Sequence, residues 1–174
     1  MESMKKEVLF SKEVIEQRVR ELAEEISGDY AGSELVVIGV LKGAFIFMAD
    51  LIRSLRVPCK IDFAQLASYG SSTISSGEVI IRKDIDLSIT DKDVLIVEDI
   101  VDTGLSLSFF VDALKQRAPR SLKVCVLLDK KMRRKAPFTA DYTGFVIDDG
   151  FVVGYGLDCN EQARALPDVH VIKE

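Results

Sequence analysis

The chain has 174 residues, of which 48% are hydrophobic and 29% charged, and its formal net charge is −5. That length supports one well-buried domain over residues 1–174 and is short for two. The acidic total argues against a nucleic-acid partner, and the absence of any apolar run near 20 residues argues against a membrane one.

In chain order, Ser11 reads as an N-cap, with Glu13 in the first turn, for a helix whose apolar face is Ile15, Val19, Leu22 and Ile26. That helix should stop near Gly28. Residues 35–40 form a continuous apolar strand, 44–55 an apolar helix, and 59–66 a strand beyond Pro58. Residues 68–77 are rich in Ser, Gly and Thr and lack an apolar anchor, and 79–81 read as a returning strand. Residues 94–97 are a short β-branched run of the kind found in buried parallel strands. A helix is expected from 105 to about 117 and a further buried strand over 122–128. Shorter strand candidates lie at 145–147, 151–153 and 169–172.

Apolar strands alternating with helices predict an α/β fold with a mainly parallel sheet covered on both faces. Ligands in such sheets gather at the carboxyl ends of the strands. Lys42-Gly43, the stretch from Glu98 to Ser106, and Lys130 all fall after strands. The three cysteines, Cys59, Cys125 and Cys159, are odd in number and free of C-x-x-C spacing, so they read as reduced thiols in a cytoplasmic protein. The N-terminal residues carry lysines with no apolar core behind them, so no secretory signal is expected. The single His170 sits between valines and reads as a core or edge-strand residue.

The most informative stretch is VLIVEDIVDTGLSL, beginning at Val94. A buried strand turns acidic at Glu98 and Asp99 and reaches Asp102-Thr103-Gly104-Leu105-Ser106 before a helical pattern resumes. A small, hydroxyl-rich turn at a helix N-terminus leaves backbone N–H groups facing solvent, which makes a ready anion site. Carboxylates just before it suit a neutral or cationic group attached to that anion, and a sugar phosphate satisfies both. No G-x-x-x-x-G-K-[ST] or G-x-G-x-x-G loop is present.

This element resembles the phosphoribosyl pyrophosphate signature of the type I phosphoribosyltransferases, in the form carried by their hypoxanthine-guanine branch. The resemblance extends from about Leu35 to Arg164 through Leu41-Lys42-Gly43, Ser68-Tyr69, the signature, Lys130, the FVVGYG run from Phe151, and Asp158 to Arg164. It implies the type I phosphoribosyltransferase fold, with a small hood subdomain built from the terminal segments. It also implies transfer of a phosphoribosyl group from phosphoribosyl pyrophosphate to hypoxanthine or guanine, giving IMP or GMP.

Within that resemblance, Thr103, Gly104, Leu105 and Ser106 would hold the 5′-phosphate, and Glu98 and Asp99 the ribose. Asp102 resembles the family's general base, although capping the next helix would explain it too. Lys130 would donate to the purine's exocyclic oxygen, Phe151 would stack on the base and the Val152 backbone would meet its edge. Taken alone, FVVGYG would simply be a core strand. Lys42, Gly43 and Arg164 would bind pyrophosphate, Asp158 would bind Mg²⁺, and Ser68-Tyr69 would open a mobile lid. The family loop at Leu41-Lys42 often contains a cis peptide, which the residues themselves do not specify. Leu105 departs from relatives that carry lysine there. The basic run from Lys130 to Lys135 reads as a solvated loop beside a phosphate-rich site. Pyrimidine-operon regulators, which bind RNA on the same scaffold, would be expected to show a broader basic face. A homodimer or homotetramer is the assembly the family implies.

Overall fold

A computed structural model describes residues 5–68 and 79–173 of the chain, with the side chain of Ser68 left aside. Two sheets organise it. The larger has six strands in the order β4-β3-β2-β5-β6-β7, and the smaller three, β1-β9-β8. Their ranges are β1 Lys5–Phe10, β2 Leu35–Leu41, β3 Cys59–Ser68, β4 Val79–Lys83, β5 Asp93–Val101, β6 Ser121–Lys130, β7 Tyr142–Ile147, β8 Phe151–Val153 and β9 Val169–Lys173. Helices α1 (Lys12–Asp29), α2 (Phe45–Ser54) and α3 (Leu105–Lys115) cover the large sheet.

Strands β2, β3, β5, β6 and β7 run parallel, and β4 returns antiparallel against β3. Alternation along the strands divides the core. Leu35, Val37, Leu95, Val97, Cys125 and Leu127 face α1 and α2, whereas Val36, Ile38, Val94, Ile96, Val124 and Val126 face α3. Both faces are apolar because both are covered, as expected for parallel strands joined by helical crossovers.

Helix α1 starts as its residues dictate: Ser11 is the N-cap, and its hydroxyl accepts from the Val14 amide. It runs one residue past Gly28 and ends with Tyr30 as C-cap, because Ile26 and Tyr30 are buried on the core side and hold that turn in place. The small sheet is the expected hood, antiparallel throughout, but its strand β1 has no counterpart in the sequence reading. Five of its six residues are exposed, so it shows no clean burial period. His170 lies on β9, the central strand of the hood rather than an edge. The three cysteines are free thiols, and burial pushes that of Cys125 well up. Among the described residues, no helix is long and apolar enough to cross a membrane.

Two strands extend further than their apolar runs indicate. β5 continues through Glu98 and Asp99 to Val101, because its pairing with β6 carries on through Glu98–Val126, Ile100–Leu128 and Val101–Asp129. β6 likewise includes Lys130, which pairs with Ile147. The acidic pair and Lys130 are therefore strand residues, held more firmly than residues of a loop after the strand.

Candidate functional site

A cavity of about 280 Å³ opens at the carboxyl end of the large sheet. Its walls are the ends of β2 and β5, the turn Asp102-Thr103-Gly104 and the start of α3, including Gly43, Glu98, Asp99, Ser106 and Leu107. The turn expected to bind an anion lies here. Gly104, at φ +79°, reverses the chain in the left-handed region open to glycine and acts as N-cap without a side chain. Thr103 Oγ1 accepts from the Leu105 amide at 3.4 Å. The Thr103 carbonyl accepts from the amides of Lys135 (2.8 Å) and Ala136 (3.1 Å). With Gly104 as N-cap the first intrahelical bond runs from the Ser108 amide to the Gly104 carbonyl, so the Ser106 and Leu107 amides have no acceptor in the helix. They donate to no protein atom among the described residues, and both residues line the cavity. These are unspent donors at the positive end of a helix. Leu105 is exposed on the first turn of α3, where its side chain is not needed for those donors.

Glu98 and Asp99 form the cavity floor. Their backbones leave each carboxylate a local donor: Asp99 N gives 3.1 Å to Glu98 Oε1, and Ile100 N gives 2.8 Å to Asp99 Oδ1. Withdrawal from water, followed by the Asp99 charge, pushes the Glu98 carboxyl well above the ordinary carboxylate range. Burial raises Asp99 as well, while Glu98 and the amides oppose the rise. Two acids this close do not both ionise readily, and the rise is the greater at Glu98. The pair is poised for a ligand that brings hydroxyl donors or positive charge.

Asp102 lies on the same wall. Its Oδ1 is buried without a hydrogen-bond donor among the described residues, and Arg133 Nε approaches it to 3.3 Å. Arg133 also reaches Asp149 at 3.6 Å.

The pyrophosphate residues meet through an acid that the sequence reading missed. Glu161 is 3.0 Å from Lys42 Nζ and 3.4 Å from Arg164 Nη2, and Lys42 above all holds its carboxyl below the usual range. Arg164 also contacts Asp158 at 2.9 Å and donates to the Gly156 carbonyl at 2.8 Å. The Asp158 carboxylate accepts from the Glu161 amide. The Leu41–Lys42 peptide is cis. Gly43 is required by contact: a Cβ there would fall 1.7 Å from Asp99 Oδ2. Gly156 in turn packs on Gly43, since its own Cβ would lie 2.1 Å from the Gly43 carbonyl oxygen. Single glycines in ordinary sequence context gave no signal of this stack.

Lys130, Phe151 and Val152, expected to bind the purine, are not part of the cavity lining. Lys130 is 5% exposed and donates through Nζ to the Gly150 carbonyl at 2.5 Å. On β8, Phe151 is half exposed while Val152 is buried. Of the residues expected to meet the base, Lys130 thus ends β6 of the large sheet, while Phe151 and Val152 belong to the hood. Tyr69 and the Ser-Gly-rich stretch to residue 77, expected to form a lid with Ser68, lie outside the described residues; for Ser68 only the backbone, at the end of β3, is described. In the basic run Lys131, Arg133 and Lys135 are exposed, as in a solvated loop, while Lys130 and Arg134 turn inward. Arg133 is paired to Asp102, and Arg134 is buried against Asp129.

The phosphoribosyl transferase domain profile matches residues 7–160. The hypoxanthine-guanine phosphoribosyltransferase of Bacillus subtilis is 49% identical, over 95% of this chain and 92% of its own. That of Aquifex aeolicus is 48% identical, over 98% and 96%. A crystal structure of a Bacillus anthracis hypoxanthine-guanine phosphoribosyltransferase superposes with a TM-score of 0.93 at 48% identity, covering 98% of this chain and all of that one. With the fold, the turn and these likenesses in agreement over nearly the whole length, the chain belongs to the phosphoribosyltransferase family, in its hypoxanthine-guanine branch.

Proposed function

We propose that the protein is a purine salvage enzyme, which transfers the 5-phosphoribosyl group of phosphoribosyl pyrophosphate to hypoxanthine and guanine and releases pyrophosphate. The observation that carries this reading is the cavity where unspent amides meet a carboxyl pair. An anion and a polyol have to arrive together to satisfy both.

The turn at Thr103-Gly104-Leu105-Ser106 takes the 5′-phosphate on its main-chain donors and two hydroxyls. Glu98 and Asp99 accept the ribose 2′ and 3′ hydroxyls, and their residual negative charge favours the positive charge that develops at C1′ as pyrophosphate departs. Asp102 removes the proton from N7 while N9 attacks, an assistance typically worth about 10²–10⁴ in rate. The base enters on the hood side. Lys130 exchanges the Gly150 carbonyl for the purine O6, Phe151 covers the ring and the Val152 backbone reads its edge. The Lys42-Gly43 main chain and Arg164 receive pyrophosphate, which displaces the Glu161 carboxylate from both cations.

Mg²⁺ fits this donor set. No group of three or more metal-ligating side chains occurs among the described residues, and Mg²⁺ commonly needs only one or two carboxylates, taking its other oxygens from substrate and water. Asp158 would hold it, and the ion would offset pyrophosphate charge. Homodimeric or homotetrameric assembly is proposed as well, with exposed Phe45, Ile61 and Ile80 as apolar side chains for a second copy to cover. Sedimentation velocity tests this, and a monomer at micromolar concentration would refute it.

The direct test of activity follows pyrophosphate release with hypoxanthine, guanine or uracil as acceptor. Release with both purines and none with uracil is expected. Turnover with uracil alone would overturn the assignment.

A further inference from the structure

The mechanism above leaves one buried cation unused. Arg134, within the basic run after β6, has a side chain only 15% exposed, paired through Nη2 with an Asp129 carboxylate that is 3% exposed. Its guanidinium lies over the Phe138 ring, 5.7 Å from the centroid. The other terminal nitrogen, Nη1, is buried without a hydrogen-bond partner among the described residues. Its place is informative: a Cβ built on Gly104 would lie 3.1 Å from Nη1 and 3.0 Å from Cδ. Arg134 therefore backs directly onto the phosphate turn, while the next two residues of its loop hold the Thr103 carbonyl through their amides.

A buried donor left unsatisfied is costly, so its retention calls for an explanation. The geometry supplies one. Asp129 neutralises the far side of the guanidinium, and the unspent N–H faces the turn, so the ion pair presents its positive end toward the phosphate position. In an interior of low effective dielectric such a field is weakly screened and costs no reorganisation when the anion arrives. The same packing fixes Gly104 from behind and keeps the free amides aimed.

We propose that Arg134 is a positioning residue for the 5′-phosphate. It acts through the Gly104 turn and its field, and touches no substrate atom itself. This rests on reading that turn as the phosphate subsite. A buried ion pair that merely stabilised the loop would matter equally to every ligand of the cleft. A phosphate device would matter only to ligands that carry the phosphate.

Calorimetric titration with IMP and with inosine, which lacks the phosphate, separates the two cases. The proteins to compare are the wild type, Ser106→Ala, Arg134→Lys, and the double variant Arg134→Gln/Asp129→Asn, which removes both charges so that no carboxylate is stranded. The double variant should lose about tenfold in IMP affinity with inosine unchanged within twofold. Arg134→Lys, which keeps the charge but not the fork, should lose about threefold for IMP alone. If the double variant does not fold, the lysine variant decides. Equal losses for IMP and inosine, or no loss for either, would overturn the proposal. If the wild type itself bound both ligands equally and Ser106→Ala changed neither, the phosphate reading of the turn would fail instead.

Discussion

The turn proposed for the phosphate and the strand proposed for the base are built in opposite ways. The turn grows from β5, an inner strand flanked by β2 and β6, whose Val94 to Val97 are fully buried. The donors it offers are mostly main chain, so on the proposed reading the fold itself carries the specificity for the anion. Base reading, as proposed, is shared between Lys130 at the end of β6 and Phe151 and Val152 of β8, a three-residue strand at one edge of the hood. β8 continues into a stretch that bends through left-handed φ at Tyr155, Asn160, Glu161 and Ala163. On that side the proposed discriminating groups are individual residues, two of them on a thin support. Substitutions at the turn should therefore damage geometry, whereas those on the hood side should alter choice.

The largest effect expected from this contrast is selectivity. Adenine presents an amino donor where Lys130 needs an acceptor, and such a mismatch can cost roughly 10⁴-fold. Competitive kcat/KM values should show that gap in the wild type. Lys130→Gln should narrow it, mostly by losing 6-oxopurine activity. An unchanged ratio in the variant would remove selectivity from the hood side. Next comes Asp102→Asn, which spares the turn's amides. It should lower kcat by about 10²-fold or more and leave phosphoribosyl pyrophosphate affinity within a few-fold. Retention of full turnover would mean that Asp102 is not the base. Gly43→Ala tests geometry alone. Its methyl group must displace the Asp99 carboxylate, and since a 1 Å misplacement can cost about 10²-fold, kcat/KM should fall by up to that factor with purine affinity preserved. A simultaneous collapse of purine binding would show that the two halves are not separable.

The smallest effect concerns stability. Glu98 has its proton affinity raised in the fold by burial and by Asp99. Its favourable contribution is thus complete below its ordinary pKa of 4.5 and drains away as pH rises through the folded value. Glu98→Gln has no proton to lose. Its Tm should therefore exceed that of the wild type by a margin that widens from pH 5 to pH 8, at the cost of weaker phosphoribosyl pyrophosphate binding. A margin independent of pH would mean that the acidic pair is not under mutual strain.

What the chain disclosed in advance follows the same division. The strand, the acidic pair and the turn were legible because one continuous segment contains all three, with burial written as an apolar run. The ends of β5 and β6 were misjudged because pairing with neighbours extends a strand past its hydrophobic residues, and pairing partners leave no local trace. Lys42, Asp158 and Arg164 were identifiable by resemblance. Glu161, which holds two of them, was not, because its role depends on residues far apart meeting in space. The Gly43–Gly156 contact was hidden for the same reason. Strand β1 escaped notice because a mostly exposed strand has no period to betray it.

The pairing of β1 with β9, which joins Lys5 to Lys173 and Val8 to His170, has a consequence for how the molecule forms. These are contacts between opposite ends of the described chain, and loop-closure entropy makes such contacts late and slow to form. During synthesis the first strand waits for the last, and β8, which pairs with β9, waits with it. The sheet that carries the Thr103-Gly104 turn takes no strand from beyond β7. A nascent chain can thus pair the whole of that sheet, turn included, before the hood that presents Phe151 and Val152 closes around β9.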